Sequence, residues 1–461
     1  MIGAVQRILR AYAFFLILFL IFSDGTSVAA QTIEQALAAA YQNNPTLQAK
    51  RVQLRATDEA VPQAEAGWRP TIMANGEIGR TRVEGNLFAQ SQGTQYRTPS
   101  SVGVTVSQPL FRGGRTIYGT REAENRVQAE RARLRVVEAE VLLDAATAFL
   151  DVERDQAVVE LNINNEQILR RQMEAANDRF AVGEITRTDV AQAEARLAGA
   201  RADRIRAEGN LAASRAVYMR VIGAPPGKLV EPVPLGNLPK SQDEAIRYAS
   251  VQFPGVVAAE FDEKSAQQSV NLVEGELLPT VSLNSEFNKS KEQFSTVDDT
   301  ERATVSARLT IPIYQAGSVY SRLREAREVA SQRRTQVEEA RRTATENATR
   351  AWSDLQATRA SIISRQAQIE ASAIALEGVH QEALVGSRTV LDVLDAEQEL
   401  LDAKVSLARS RRDAFVADFR LRSAMGTLTA QALNLPVKIY DVNQHYDAVR
   451  GQWIGFGGGS D

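Results

Sequence analysis

Two stretches of the chain alternate apolar and polar residues with a period of two. In the first, Ile72, Ala74, Gly76 and Ile78 stand against Met73, Asn75, Glu77 and Gly79, and Val102, Val104 and Val106 against Gly103, Thr105 and Ser107, up to Pro109. In the second, Val281, Leu283 and Phe287 oppose Ser282, Asn284, Glu286 and Asn288, then Val305, Ala307, Leu309 and Ile311 oppose Ser306, Arg308 and Thr310. A two-residue period belongs to strands, whose side chains alternate faces. Two hairpins are therefore expected, about 70–109 and 279–312, with strands of roughly ten residues, the length that crosses a bilayer at a tilt. The edge of a soluble sandwich would alternate in the same way, but the sequence holds no second sheet to cover it.

Elsewhere the pattern is helical. No proline occurs between Pro109 and Pro225 or between Pro312 and Pro436, and Val127, Leu134, Val141, Ala145, Ala148 and Val152 recur at three to seven residues, the stripe of a coiled-coil-like seam. Arg115 to Phe180 reads as one helix of sixty-six residues, about 100 Å long. The returning helix, about Thr188 to Ile222, is half that length. Opening helices before Pro70, with Ile33, Ala36, Leu37 and Ala40 on one face and a break at Asn43-Asn44-Pro45, can supply the rest if stacked end to end with it.

The helical runs are interrupted by two related turns. VGEITRTDVAQAE, from Val182 to Glu194, matches VGSRTVLDVLDAE, from Val385 to Glu397, at seven of thirteen positions, 203 residues apart. Gly183 and Gly386 suit the left-handed residue past a helix end. Thr186 and Thr389, each with an aspartate three residues on, suit a helix restart with a capping box. The opening pattern recurs as well, Ala36, Pro45 and Pro70 mapping onto Ala245, Pro254 and Pro279. The expected organisation is a leader over 1–30, repeats over 31–228 and 229–435, and a partly disordered tail over 436–461.

Composition narrows the function. A net charge of −3, with arginines interleaved among glutamates, gives no basic patch for nucleic acid. Arg7 and Arg10, the apolar run Ala11–Phe22 and the small residues ending at Ala30 form a secretory signal-peptide pattern. The absence of cysteine excludes disulfides, thiolate metal sites and a lipidated N-terminal cysteine. His380 and His445, the two histidines, lie beside no nucleophile, and no phosphate-binding glycine loop occurs. Neither an enzyme nor a bound cofactor or metal is expected.

Four strands cannot close a membrane barrel, and an open sheet edge in lipid leaves backbone groups unpaired. The barrel must be shared among chains, and polar inward residues favour a watered lumen of twelve strands or more. The two VG turns, the hairpins ending at Pro109 and Pro312, and the repeat ends at Ile222-Gly223 and Met425-Gly426 together resemble the TolC family of outer-membrane efflux and type I secretion ducts. That resemblance implies a homotrimer whose twelve-stranded β-barrel continues into a long periplasmic α-helical barrel. It also implies a periplasmic adaptor and an inner-membrane pump or ABC transporter as partners. By the same resemblance Asp392 and Asp395 would form carboxylate rings at the entrance, and Arg388 would bond to Thr188 and Asp189 of the neighbouring turn. The tyrosine that the family places five residues before that arginine is here Ala383. Val182, Gly183, Glu184, Val385, Gly386 and Ser387 would be the adaptor's docking surface, and Phe111 and Tyr314 would join an interfacial aromatic belt. Against these stand plainer roles: Asp392 as a helix cap, Asp395 as a solvated residue, an Arg388–Asp392 pair within one helix, turn formation alone for the six turn residues, and a buried strand-to-helix junction for Phe111 and Tyr314. A periplasmic coiled-coil adaptor or scaffold is the alternative for the whole chain.

Overall fold

A computed structural model of the chain describes residues 31–84, 94–233, 236 and 238–455. The leader expected over 1–30, the loop residues Gly85, Asn86 and Gly93, Pro234 of the linker, and Phe456 with the glycine-rich end lie outside the described residues. Thr32 opens helix α1 (Ile33–Asn43) with a reciprocal cap, its hydroxyl accepting from the Gln35 N–H and the Gln35 side chain accepting from its own N–H at 3.2 Å. Asn44 then ends α1 and starts α2 (Pro45–Asp58). Its Oδ1 accepts from the Thr46 N–H at 2.9 Å, and its Nδ2 donates to the Val221 carbonyl at 3.0 Å. The sequence break at this asparagine is thus also a joint, because Val221 lies at the far end of the returning helix.

After the short α3 (Ala60–Glu65), two helices of 67 residues dominate, α4 (Arg115–Ala181) and α8 (Ser318–Leu384). Each is about 100 Å long. They return as α5 (Arg187–Ile222) and α9 (Val390–Ala424), 36 and 35 residues. The end of α5 meets the α1/α2 break. The end of α9 meets the break between α6 (Gln242–Gln252) and α7 (Pro254–Glu274), where a Cβ on Gly426 would lie 2.7 Å from Pro254. The seam residues Val127, Leu134, Val141, Ala145, Ala148 and Val152 are all buried, most of them in the largest apolar core together with Tyr218, Phe149 and Phe419.

The stretch after Leu435 has more structure than its lack of periodicity suggests. It runs back over the start of the chain and forms α10 (Gln444–Arg450). The Tyr440 N–H donates to the Tyr41 hydroxyl at 3.1 Å, and His445 Nδ1 lies 3.2 Å from the fully buried Asp58 carboxylate. The Arg51 guanidinium lies 4.5 Å and 5.2 Å from the Tyr41 and Tyr440 ring centres. Just before this stretch, Glu138 accepts the Ala430 N–H at 2.7 Å. These partners are nearly 300 to 400 residues distant in sequence, beyond the reach of periodicity.

The strands β1 (Thr71–Ile78), β2 (Thr81–Glu84), β3 (Thr94–Arg97), β4 (Ser100–Arg112), β5 (Thr280–Lys291) and β6 (Asp299–Thr310) form two sheets. The larger is antiparallel in the order β1-β4-β5-β6, and β2 pairs with β3 above the first hairpin. Its register puts the four alternating patterns in phase: Ile72, Val106, Ser285 and Val305 share one rung, and Ala74, Val104, Phe287 and Ala303 the next. The same face is exposed at Ile72 (69%) and Val305 (73%). A bulge at Leu110 between β4 and β5 turns Phe111 onto this apolar face opposite Val281. Without it, Phe111 would follow Ser107 and Pro109 onto the polar face. Toward the far end, Lys289 pairs with Glu301 at 2.5 Å, and the apolar band stops.

Where β4 hands over to α4, the backbone passes very close to the residues between α7 and β5. Gly113 (φ +63°) carries no side chain, and a Cβ there would lie 2.2 Å from the Gly275 carbonyl oxygen. A Cβ on Gly275 would lie 2.5 Å from the Gly113 oxygen. In the second repeat the position matching Gly113 is Ala316, held at φ +52°.

Candidate functional site at the helical tip

The end opposite the sheet is built by the two VG turns. Gly183 (φ +80°) and Gly386 (φ +77°) end the long helices, and nothing lies within 4 Å of a Cβ placed on either, so backbone shape alone selects glycine there. The Glu184 N–H reaches back to the Arg179 carbonyl at 2.9 Å, and the Ser387 N–H to the Glu382 carbonyl at 3.0 Å. These bonds close the helix ends. Val182 and Val385 stand out into solvent, 72% and 80% exposed.

Each returning helix restarts on a complete capping box. Asp392 Oδ2 accepts from the Thr389 N–H at 2.8 Å and from the Thr389 hydroxyl at 2.7 Å; Asp189 does the same with Thr186 at 2.9 and 2.8 Å. The backbone N–H bond from the threonine, then its hydroxyl, holds each aspartate below the usual carboxylate range. Asp392 thus has the capping role as well as any electrostatic one, and Thr188, beside Asp189, is exposed and stays out of the box.

Within one chain Arg388 reaches neither Thr188 nor Asp189. Its Nε bonds to Glu382 at 2.8 Å, pinning the turn to the end of α8. The first turn carries a similar clasp with the signs exchanged, Arg179 on the helix and Glu184 in the turn, 3.1 Å apart. Ser387 fills its place in the second turn, and its hydroxyl donates to the Glu382 carbonyl at 2.9 Å.

Asp395 is not a bare solvated carboxylate. It accepts from Arg196 of α5, so the two hairpins are joined by an ion pair one to two turns above the caps. Leu394, 1% exposed, supports this junction from within, packed with Leu169, Ala176, Ala193, Leu197 and Ala200. Further along the first hairpin, between α4 and α5, Glu166 lies among Arg170, Arg201 and Arg204, with closest approaches of 2.7, 3.5 and 2.7 Å. Burial pushes Glu166 up, but the Arg170 hydrogen bond and the arginine charges outweigh it and hold it below its usual value. Sequence reasoning passed over Arg196, Glu382 and Arg179. Comparing the turns by charge would have exposed the exchanged clasp, but Arg196 aligns with Glu399 and leaves no trace in the repeat. Among the described residues no cluster could hold a metal ion.

A family model described as outer membrane efflux protein matches residues 36–224 and 246–427. The chain is 34% identical over 436 residues to the outer membrane efflux protein BepC of Brucella suis biovar 1, covering 94% of this chain and 93% of that one. It is 24% identical over 415 residues to the outer membrane protein TolC of Vibrio cholerae, with 88% and 93% covered. Among solved structures, the CusC channel shares the fold at a TM-score of 0.76 and 18% identity, over 86% of this chain and 92% of that one.

Proposed function

This chain belongs to the outer membrane efflux protein family, and from that premise we propose that it is the exit duct of a tripartite machine. An inner-membrane transporter and a periplasmic adaptor hand drugs or proteins to it, and it conducts them passively across the outer membrane. The observation that carries this reading is the in-phase sheet. Four strands present one largely apolar face and end in two edges, β1 and β6, that pair with nothing among the described residues.

Lipid cannot satisfy the backbone groups of those edges. An even number of strands per chain lets β6 of one copy pair antiparallel with β1 of the next. The other face carries Asn75, Arg302, Glu286, Asn284 and Arg308, which need water. Eight strands would leave room only for side chains, whereas twelve or more enclose a lumen; the resemblance to TolC-family ducts selects twelve, a homotrimer. Its helices continue below as a tunnel of paired columns, and Phe111 and Tyr314 sit at the membrane boundary.

At the far end Val182, Gly183, Glu184, Val385, Gly386 and Ser387 offer the exposed rim on which adaptor hairpins dock. Asp392 and Asp395 belong to the entrance behind it. Arg388 exchanges its Glu382 partner for Thr188 and Asp189 of a neighbouring turn when the entrance closes. Planar-bilayer recording of purified protein, with its mass measured under native conditions, tests the reading. Trimers that form cation-preferring channels are expected. Protein that carbonate washing strips from membranes, and that gives no channels, would make it a periplasmic scaffold instead.

A further inference from the structure

We propose that Arg196 sets the ion selectivity of the entrance, by cancelling the charge of Asp395 across the junction between the two hairpins. The inference rests on the channel reading above and concerns which carboxylates there are electrically effective. Two acidic rings, at Asp392 and Asp395, would be a strong cation filter. The structure closes one of them: Arg196 of α5 donates to the Asp395 carboxylate of α9. The bond joins residues 199 apart in sequence and has no equivalent elsewhere in the duplication, since Asp395 aligns with Gln192 and Arg196 with Glu399.

Several other charges of the tip are engaged locally. Arg388 is held by Glu382 on its own hairpin, Arg179 by Glu184, and Asp189 and Asp392 by their own threonines. Arg196 alone among these bridges the hairpins, beside the apolar contact made by Leu394. Both partners keep contact with water, at side-chain exposures of 40% and 56%, so the charge of either is felt by a passing ion once the other is removed. In the intact chain the pair contributes a dipole rather than a net charge. The effective filter then falls to Asp392.

This arrangement predicts opposite signs for two mutations that break the same bond. Arg196→Gln uncovers the Asp395 carboxylate and should raise the cation-to-anion permeability ratio, by about twofold or more at low salt where screening is weak. Asp395→Asn uncovers the arginine and should lower the ratio. The double variant should return close to the wild-type value. Arg196→Lys keeps the charge and should also match wild type; if the glutamine variant does not assemble, the drop expected for Asp395→Asn decides the matter.

The measurement is the reversal potential of single channels in a planar bilayer under a potassium chloride gradient, for all five proteins. A bond that only braces the hairpins would move both single variants the same way, in conductance rather than in selectivity. Same-sign or absent selectivity shifts in channels that conduct normally would overturn the role of Arg196 and leave the duct intact. A wild-type protein that forms no channel would instead remove the reading on which the role depends.

Discussion

Gly113→Ala tests a close backbone approach where strands become helices. Two costs are expected, and the duplication separates them. An alanine at φ +63° pays the left-handed penalty of about 1–2 kcal/mol. Its Cβ would also sit 2.2 Å from the Gly275 oxygen and 2.9 Å from Leu278 Cβ, and backbone cannot turn aside as a flexible side chain does. Forcing such a contact adds about 1–3 kcal/mol, for a total of about 2–5 kcal/mol. Ala316 already carries the first cost at φ +52° in the matching place. Ala316→Gly should therefore be neutral or stabilising by up to about 1 kcal/mol, the relieved strain being offset by the freedom glycine adds to the unfolded chain. Gly386→Ala, with open space around it, isolates the conformational cost. Thermal denaturation followed by circular dichroism in detergent should rank Gly113→Ala well below Gly386→Ala, with Ala316→Gly at or above wild type. If Gly113→Ala melts with Gly386→Ala, the steric part of the argument is wrong and the two backbones do not cross as closely as described.

Three further outcomes follow from the same structure. Thr389→Ala removes a capping hydroxyl and should cost about 1 kcal/mol at the start of α9, seen as faster amide exchange there with the matching turn of α5 unchanged. Burial raises Glu138 above its usual value, with the Ala430 N–H bond opposing; its ionisation therefore opposes folding at neutral pH, and that cost fades as pH falls through the raised value. Glu138→Gln keeps an acceptor for Ala430, so it should raise the melting temperature at pH 7 and lose this advantage in acid. Glu166 has the reverse sign: its carboxylate, held down by arginines, contributes stability above the unfolded pKa of about 4.3 and loses it as pH falls through the lower folded value. Glu166→Gln should melt below wild type at pH 7, and the gap should narrow in acid.

What the sequence made legible was local. A helix end needs its left-handed glycine within one residue and its cap within three, so Gly183, Thr186, Gly386 and Thr389 spelled out both turns. Strand alternation likewise needs only neighbours, and the register then joined four separately read patterns into one face. What stayed hidden depends on residues brought together by packing. Asp395 reads as a free acid until α5 is laid against α9, and the bulge at Leu110 that sets the face of Phe111 leaves no mark in the alternation. Arg388 has several acids within reach along the chain, and geometry selects Glu382. The tail could not be read by period at all, because its partners Tyr41 and Asp58 lie on the first helices.

The exchanged clasps give the tip a phase. One turn shows its helix arginine and turn glutamate, the other its helix glutamate and turn arginine, so a rim built from copies of this chain alternates in polarity from hairpin to hairpin. A partner that complements one hairpin is mismatched after rotation by a single hairpin and matched again only after two. The duplication looks twofold redundant in backbone, yet electrostatically it is an indexing mark that counts chains rather than hairpins.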